Sequence, residues 1–168
     1  MVMNVLALRG KSNVGKTSIL KKLMKQVVDE EQTFKKDKIF ICKYSKEIFV
    51  KKIDPNDDKW FTTKAKRNIS NLTILTEYKG KIIVISSMGD STDLVVGSIE
   101  AAKRMYKNKY NKDIDVDVYI CACRKRMKLE NMLNCNNVNY IDKDRSNKKY
   151  IKDNIFVEML INELNKLI

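Results

Sequence analysis

The chain of 168 residues contains no histidine, one proline and five glycines. Histidine is the usual transition-metal ligand and the usual general base near neutral pH, so its absence excludes Ser-His-Asp and Cys-His catalysis. The scarcity of proline and glycine, with no serine-rich stretch, argues against a flexible linker and favours a single domain over residues 1–168. Proton transfer in this chain must therefore use carboxylates or positioned water.

Long apolar runs are also missing from the sequence. No segment reaches the length of a membrane helix, and the short apolar run at the N-terminus lacks the layout of a signal peptide. We therefore expect a cytoplasmic protein without a membrane span. The four cysteines show no C-x-x-C spacing, and in the reducing cytosol we expect them to be unbonded thiols.

Negative charge is scarce, because 21 Asp and Glu residues stand against 34 Lys and Arg, which gives a formal net charge of +13. A field of this sign attracts polyanions such as nucleic acids, anionic membrane surfaces and nucleotides. Lysine is spread over the whole chain, however, and an even spread is typical of a solvated surface. The densest basic sequence, Lys103–Lys112 with Arg124–Lys128, indicates either a rim that faces nucleotide or nucleic acid, or the solvated ends of helices.

Residues 10–17 read G-K-S-N-V-G-K-T and match the phosphate-binding pattern G-x-x-x-x-G-K-[ST]. An apolar run at 2–8 precedes this loop and a helical pattern at 17–29 follows it, so strand, loop and helix come in the required order. The two glycines let successive backbone N–H groups turn towards a phosphate at the positive end of the helix. We expect a nucleoside triphosphate to be bound by Gly10, Lys11, Ser12, Asn13, Val14, Gly15, Lys16, Thr17 and Ser18.

Two residues of this loop are expected to carry its chemistry. Lys16 would reach the β- and γ-phosphates and act as a catalytic residue by stabilising their charge. The hydroxyl of Thr17 would ligate Mg²⁺. The pattern therefore predicts a magnesium-dependent site.

The rest of the chain alternates buried strands with amphipathic helices, which predicts an α/β fold of three layers, a mostly parallel sheet with helices on both faces. We predict strands at 38–44, 72–78, 81–85, 116–123 and 138–141, and helices at 17–29, 90–106 and 150–168. Lys79-Gly80 predicts a tight antiparallel turn, Ser91 or Thr92 a helix cap, and Gly97 close packing within a helix. Residues 45–71, which contain the single proline, are expected to form an irregular insertion beside the site.

Two further residues are expected at the site. Asp90 is the carboxylate closest to the end of the 81–85 strand, and we expect it to hold Mg²⁺ and to orient water, with helix capping as the alternative interpretation. Ser86, at the end of the same strand, would contact the metal through water. Arg124 follows the 116–123 strand at the edge where ligands bind in open α/β sheets, and there it would stack on a base or contact phosphate.

On these residues the sequence resembles the P-loop NTPase superfamily, specifically over Gly10–Thr17, less specifically over Ser86–Asp90 and only in architecture elsewhere. The resemblance implies ATP or GTP, with Mg²⁺, as the bound cofactor. Ser86-x-x-Gly89 looks like the D-x-x-G of the GTPase branch with serine in place of aspartate, but the guanine-reading N-K-x-D is missing before Arg124, which favours ATP. A lysine directly after the first glycine, Lys11, is similar to the loop of dimeric partition-type ATPases and implies a homodimer as one alternative.

The sequence therefore predicts magnesium-dependent ATP binding with slow hydrolysis, by an ATPase or a nucleotide-dependent switch. Two alternatives stay open. One is a small nucleoside or nucleotide kinase, in which an acceptor replaces water; the other is a nucleic-acid-associated protein whose affinity is gated by nucleotide. Phosphate transfer to an added acceptor distinguishes the first, and a steep salt dependence of DNA or RNA binding distinguishes the second.

Overall fold

The computed structural model describes residues 2–11, 15–30, 40–44, 48–52, 72–143 and 153–168. The strands in these residues are β1 (Met3–Arg9), β2 (Phe40–Tyr44), β3 (Ile48–Lys52), β4 (Thr73–Tyr78), β5 (Lys81–Ser86), β6 (Val118–Cys123) and β7 (Cys135–Asp142). The helices are α1 (Lys16–Glu30), α2 (Thr92–Tyr110) and α3 (Asp153–Leu167), with a single 3₁₀ turn at Leu129–Asn131.

The strands form one mixed sheet in the order β3-β2-β4-β5-β6-β1-β7. Four neighbouring strands, β5, β6, β1 and β7, run parallel to one another. β4, β2 and β3 continue the sheet with antiparallel pairings. The predicted α/β class is confirmed, and the parallel part of the sheet is the part that contains β1, which leads into the glycine loop.

Side chains of β1 alternate between the two faces of the sheet and divide the apolar core between them. Leu6 and Leu8 pack with α1 and α3 on one face. Val5 and Ala7 pack with α2 on the other face. Helices therefore cover both faces, which confirms the predicted three layers. Within the described ranges, none of the helices combines the length and apolar composition needed to cross a bilayer.

Two local predictions from turn and cap residues are confirmed. β4 and β5 form an antiparallel hairpin, and its two turn residues, Lys79 at φ 48° and Gly80 at φ 78°, have the positive φ that a tight two-residue turn requires. Ser91 caps α2, because its hydroxyl accepts a hydrogen bond from the backbone N–H of Leu94 at 3.3 Å.

The structure corrects the predictions at β7, within residues 45–71 and at Gly97. β7 begins at Cys135, three residues early. Cys135 and Asn137 pair with β1 and Asn136 lies at an irregularity between them, and because the side chains of Asn136 and Asn137 are exposed, no apolar pattern marks this start. β3 lies inside the segment expected to be irregular, so that irregularity does not extend over residues 48–52; the remainder of 45–71 lies outside the described residues. The expected close packing at Gly97 is wrong, because a methyl group there would meet no atom of the described residues within 4 Å.

Candidate functional site

The chain leaves β1 and β6, two adjacent parallel strands, towards opposite faces of the sheet. β1 continues into α1 on one face, and β6 continues into the 3₁₀ turn, where buried Leu129 packs on the other face. This divergence leaves a crevice between the carboxyl ends of the two strands. In open α/β sheets, ligands bind in crevices of this kind. We call the ends of β5, β6, β1 and β7 on this side the carboxyl edge.

Lys16 lies at this crevice as the first residue of α1 and is only 7% exposed. Its ammonium group donates hydrogen bonds to the backbone carbonyls of Gly10, at 2.8 Å, and Lys11, at 2.6 Å. The side chain therefore folds back across the start of the loop, and Lys11 contributes its carbonyl while its own side chain is exposed.

Charges from three strand ends act on the ammonium group of Lys16. Burial is the main reason that the pKa of Lys16 is lowered, because desolvation penalises the charged form. The positive charges of Arg124 and Lys143 lower this pKa further, while Asp90 and Cys123 raise it. The ends of β5, β6 and β7 therefore bring charged side chains into electrostatic reach of the loop lysine.

The two glycines of the loop are held by backbone hydrogen bonds. The N–H of Gly10 donates to the carbonyl of Cys123 at 3.1 Å, which continues the pairing between β1 and β6. Gly15 has φ +90°, a backbone conformation that other residues rarely adopt, and its carbonyl accepts from Ile19 in the first turn of α1. Ser12, Asn13 and Val14, between these two glycines, lie outside the described residues.

Asp90 and Arg124 meet at the carboxyl edge, where Arg124 Nη2 lies 3.4 Å from Asp90 Oδ1. Both side chains are exposed. The two residues come together because the chain at Gly89 passes close to β6. A methyl group on Gly89 would lie 2.2 Å from the carbonyl oxygen of Ala122 in β6, so the close approach requires glycine. The capping alternative for Asp90 is wrong, because Ser91 caps α2.

Ser86 does not reach the site, and the expected water-mediated metal contact from it is wrong. Its hydroxyl is buried and accepts hydrogen bonds from Thr73 Oγ1 at 2.8 Å and from the N–H of Met88 at 3.2 Å. A small polar residue at a strand end satisfies its hydrogen bonds inside the sheet here, which the sequence pattern does not reveal.

The metal prediction concerns Thr17 and Asp90. Thr17 is half-buried in the first turn of α1. The negative charge of Asp90 raises the pKa of Lys16, the residue that precedes Thr17. Among the described residues, no three Cys, Asp or Glu side chains come together as a preformed metal site. A cation bound here would therefore take its remaining ligands from phosphate oxygens and water, as Mg²⁺ commonly does in phosphate sites.

Ser18 is one helical position further on, and its hydroxyl has a protein partner. It donates to Asp153 Oδ2 at 2.8 Å, at the start of α3. Lys22 donates to the same oxygen at 3.2 Å. The Ser18 side chain therefore ties α1 to α3 in this structure.

Lys143 is a charged residue of this edge that sequence reasoning missed. It directly follows β7, and its backbone N–H donates to the carbonyl of Arg9 at 2.8 Å. Its side chain is 5% exposed and its ammonium group lies 3.5 Å from Asp153 Oδ1. The position directly after a parallel strand, the same signal that identified Arg124, could have found it.

The basic sequence from Lys103 to Lys128 does not form one surface. α2 has 19 residues and spans about 28 Å at 1.5 Å per residue. It begins after the carboxyl end of β5 and finishes before the amino end of β6. Lys107, near its end, pairs with Asp113 at 2.9 Å, at the opposite end of the strands from exposed Arg124–Arg126. Of the two interpretations, solvated ends of helices therefore fit these residues better than a single rim.

Protein family models, curated proteins and solved structures gave no match to this chain.

Proposed function

We propose that the chain binds a nucleoside triphosphate, ATP in preference to GTP, with Mg²⁺ at the carboxyl edge, and hydrolyses it slowly or uses it as a switch. One observation carries the proposal: Lys16 of the G-x-x-x-x-G-K-T sequence is buried at the first turn of α1, in the crevice between diverging strands. A helix N-terminus, backbone amides and a buried ammonium group are together suited to an anion.

The charge balance around Lys16 supports an anionic ligand. Arg124 and Lys143 act on Lys16 with the same sign of charge, and Asp90 opposes them. Bringing like charges together in a partly desolvated place costs free energy, which a bound polyphosphate would offset. The preference for ATP is supported only by the missing guanine-reading sequence before Arg124.

The chain's own residues define the chemistry that we propose. Lys16 exchanges the carbonyls of Gly10 and Lys11 for phosphate oxygens, and stabilises charge on them. Arg124, exposed and 3.4 Å from Asp90, turns to the phosphate chain, which leaves the Asp90 carboxylate to accept a proton from water or to approach the metal. Bound Mg²⁺ supplies further neutralisation of the phosphate charge.

Binding of Mg-ATP, Mg-GTP and Mg-ADP by titration calorimetry tests the proposal. We expect Lys16→Ala to weaken Mg-ATP binding by about 1.5–3 kcal/mol, the range for hydrogen bonds to charged groups, which is about 10- to 150-fold in Kd. Lys107→Ala is the matched control, because this exposed lysine pairs with Asp113 away from the carboxyl edge. Equal affinities of the wild type and Lys16→Ala would reject the site.

Phosphate release from Mg-ATP tests the catalytic part. We expect slow turnover that Asp90→Asn reduces without a comparable loss of Mg-ATP affinity, because the amide keeps the shape and loses the negative charge. Turnover unaffected by this change would remove Asp90 from the reaction. Phosphate transferred to an added nucleoside, in place of free phosphate, would instead support a kinase.

A further inference from the structure

Lys143 combines three properties that a surface lysine lacks. Its side chain is 5% exposed, its carboxylate partner is shared, and its ammonium group lies beside the glycine loop. A methyl group built on Gly15 would lie only 3.1 Å from Lys143 Nζ. Gly15 therefore leaves the space that this ammonium group occupies.

The backbone fixes this position. β7 pairs with β1 in register, Arg9 opposite Asp142, and the next residue, Lys143, extends the pairing by one hydrogen bond to Arg9. The guanidinium group of Arg9 also donates two hydrogen bonds, of 2.7 and 3.1 Å, to the carboxylate of Asp142. The end of β7 is thus held against the end of β1, where the loop begins.

Within the described residues, the ammonium group of Lys143 has hydrogen-bond donors without an acceptor. Asp153 Oδ2 accepts from Ser18 and Lys22, and Asp153 Oδ1 lies 3.5 Å from the ammonium group of Lys143. The charge-assisted hydrogen bonds of such pairs are typically about 2.7–2.9 Å. An ammonium group carries three donors, and the other contact of Lys143 in the described part of the chain is the ring of Phe156, 5.2 Å away.

We propose that Lys143 is a second phosphate-binding residue, which donates to the phosphate chain of the bound nucleotide from the Gly15 side of the loop while Lys16 holds it from within. This inference rests on the proposed function. Two ammonium groups that repel each other in the free protein would both contact one anion in the complex. In the free protein the carboxylate of Asp153 lies beside the ammonium group of Lys143, and in the complex the anion would take its place as acceptor.

The test measures binding of Mg-ATP and of inorganic tripolyphosphate by the full chain. Lys143→Met keeps an unbranched side chain of similar length and removes the charge, and Lys143→Gln is a second, polar variant. We expect both to weaken both probes by about 10-fold or more, the effect of losing one charged hydrogen bond. Lys143→Arg, which keeps the charge, is expected to stay within about 3-fold of the wild type on the same scale.

Two controls separate a phosphate contact from a structural role. Lys22→Gln removes the other ammonium group on Asp153, which is half exposed, and is expected to leave binding unchanged. Asp153→Asn is expected to leave binding unchanged or tighter, because it frees Lys143. Equal weakening by Asp153→Asn and Lys143→Met would overturn the inference, since Lys143 would then act through the ion pair.

The inference and the proposed function fail in different ways. If Lys16→Ala loses affinity while Lys143→Met and Lys143→Gln bind both probes as the wild type does, Lys143 is not a phosphate ligand and the nucleotide site stands. If the wild type binds neither probe, both are rejected. Thermal melting of each variant, measured without ligand, shows that the compared proteins are folded.

Discussion

At the amino end of the parallel strands, Asp117 accepts a hydrogen bond from the backbone N–H of Ile82 at 2.8 Å and lies 3.7 Å from Lys81. Its carboxylate therefore serves the sheet, as an acceptor for a backbone N–H group of β5. At the carboxyl edge, Lys16 and Lys143 are both buried, and the electrostatic effect of Lys143 on Lys16 is repulsive. The net charge of +13 does not by itself mark a candidate site, whereas two buried cations beside a glycine loop do.

The largest effect is expected at Gly89, which fixes the position of Asp90 at the carboxyl edge. Gly89→Ala places a methyl group 2.2 Å from the carbonyl oxygen of Ala122, so the start of α2 must move away from β6. We expect a loss of about 3 kcal/mol in the free energy of unfolding, the upper part of the range for overpacking. Urea denaturation measures it, and a variant as stable as the wild type would contradict the close contact.

The second effect concerns the thiol of Cys123, at the carboxyl end of β6. Burial, the main cause, raises the pKa of Cys123 from 9.0 to about 11. The unfolded chain therefore loses this proton first as the pH rises, so the contribution is present below pH 9 and is lost towards pH 11. Over that interval we expect Cys123 to account for about 2 kcal/mol of lost stability.

Denaturation curves from pH 8 upwards, with Cys123→Ala beside the wild type, isolate this contribution as a difference between slopes. Cys135, at the amino end of β7, is the matched thiol: it is half-buried and burial raises its pKa as well. We expect Cys135→Ala to change the slope less than Cys123→Ala does. A larger change in slope for Cys135→Ala than for Cys123→Ala would contradict the deeper burial of the Cys123 thiol at the carboxyl edge.

The third effect is expected at Asp117, at the amino end of the parallel strands. Asp117→Ala leaves the N–H of Ile82 without its side-chain acceptor, and we expect it to lower the free energy of unfolding by about 1–2 kcal/mol. Affinity for Mg-ATP should not change, because the carboxylate lies at the opposite end of the strands. A change in Mg-ATP affinity, measured by calorimetry on the folded variant, would contradict the assignment of Asp117 to stability alone.

The smallest effect has the opposite sign. Gly97 lies inside α2, and in the described part of the chain a methyl group there meets no atom within 4 Å. We expect Gly97→Ala to stabilise the protein by about 0.5–1 kcal/mol, because alanine loses less conformational entropy in a helix. It is the matched control for Gly89→Ala in the same denaturation series, and a destabilised Gly97→Ala would show that the helix is packed more tightly there.

Local patterns predicted the elements well where the physical cause is local. The turn at Lys79-Gly80 and the cap at Ser91 depend on neighbouring backbone groups, and both were confirmed. The helix following the loop was predicted from 17 to 29 and observed from Lys16 to Glu30.

The arrangement of the candidate site was harder to predict, because contacts distant in sequence decide it. Lys143 reaches Gly15 only because β7 pairs with β1, and the polar start of β7 carries no strand pattern. Gly89 and Gly97 look alike in the sequence, but only Gly89 meets another strand. Nucleotide binding stays a prediction, with its loop residues 12–14 outside the described part of the chain.

The contact of Lys16 with the carbonyls of Gly10 and Lys11 has a kinetic consequence. An ammonium group that already points inward loses little rotamer freedom when an anion arrives, because its side chain is ordered beforehand. Association then exchanges one set of acceptors for another, and we expect affinity differences among phosphate-bearing ligands to arise in their dissociation rates.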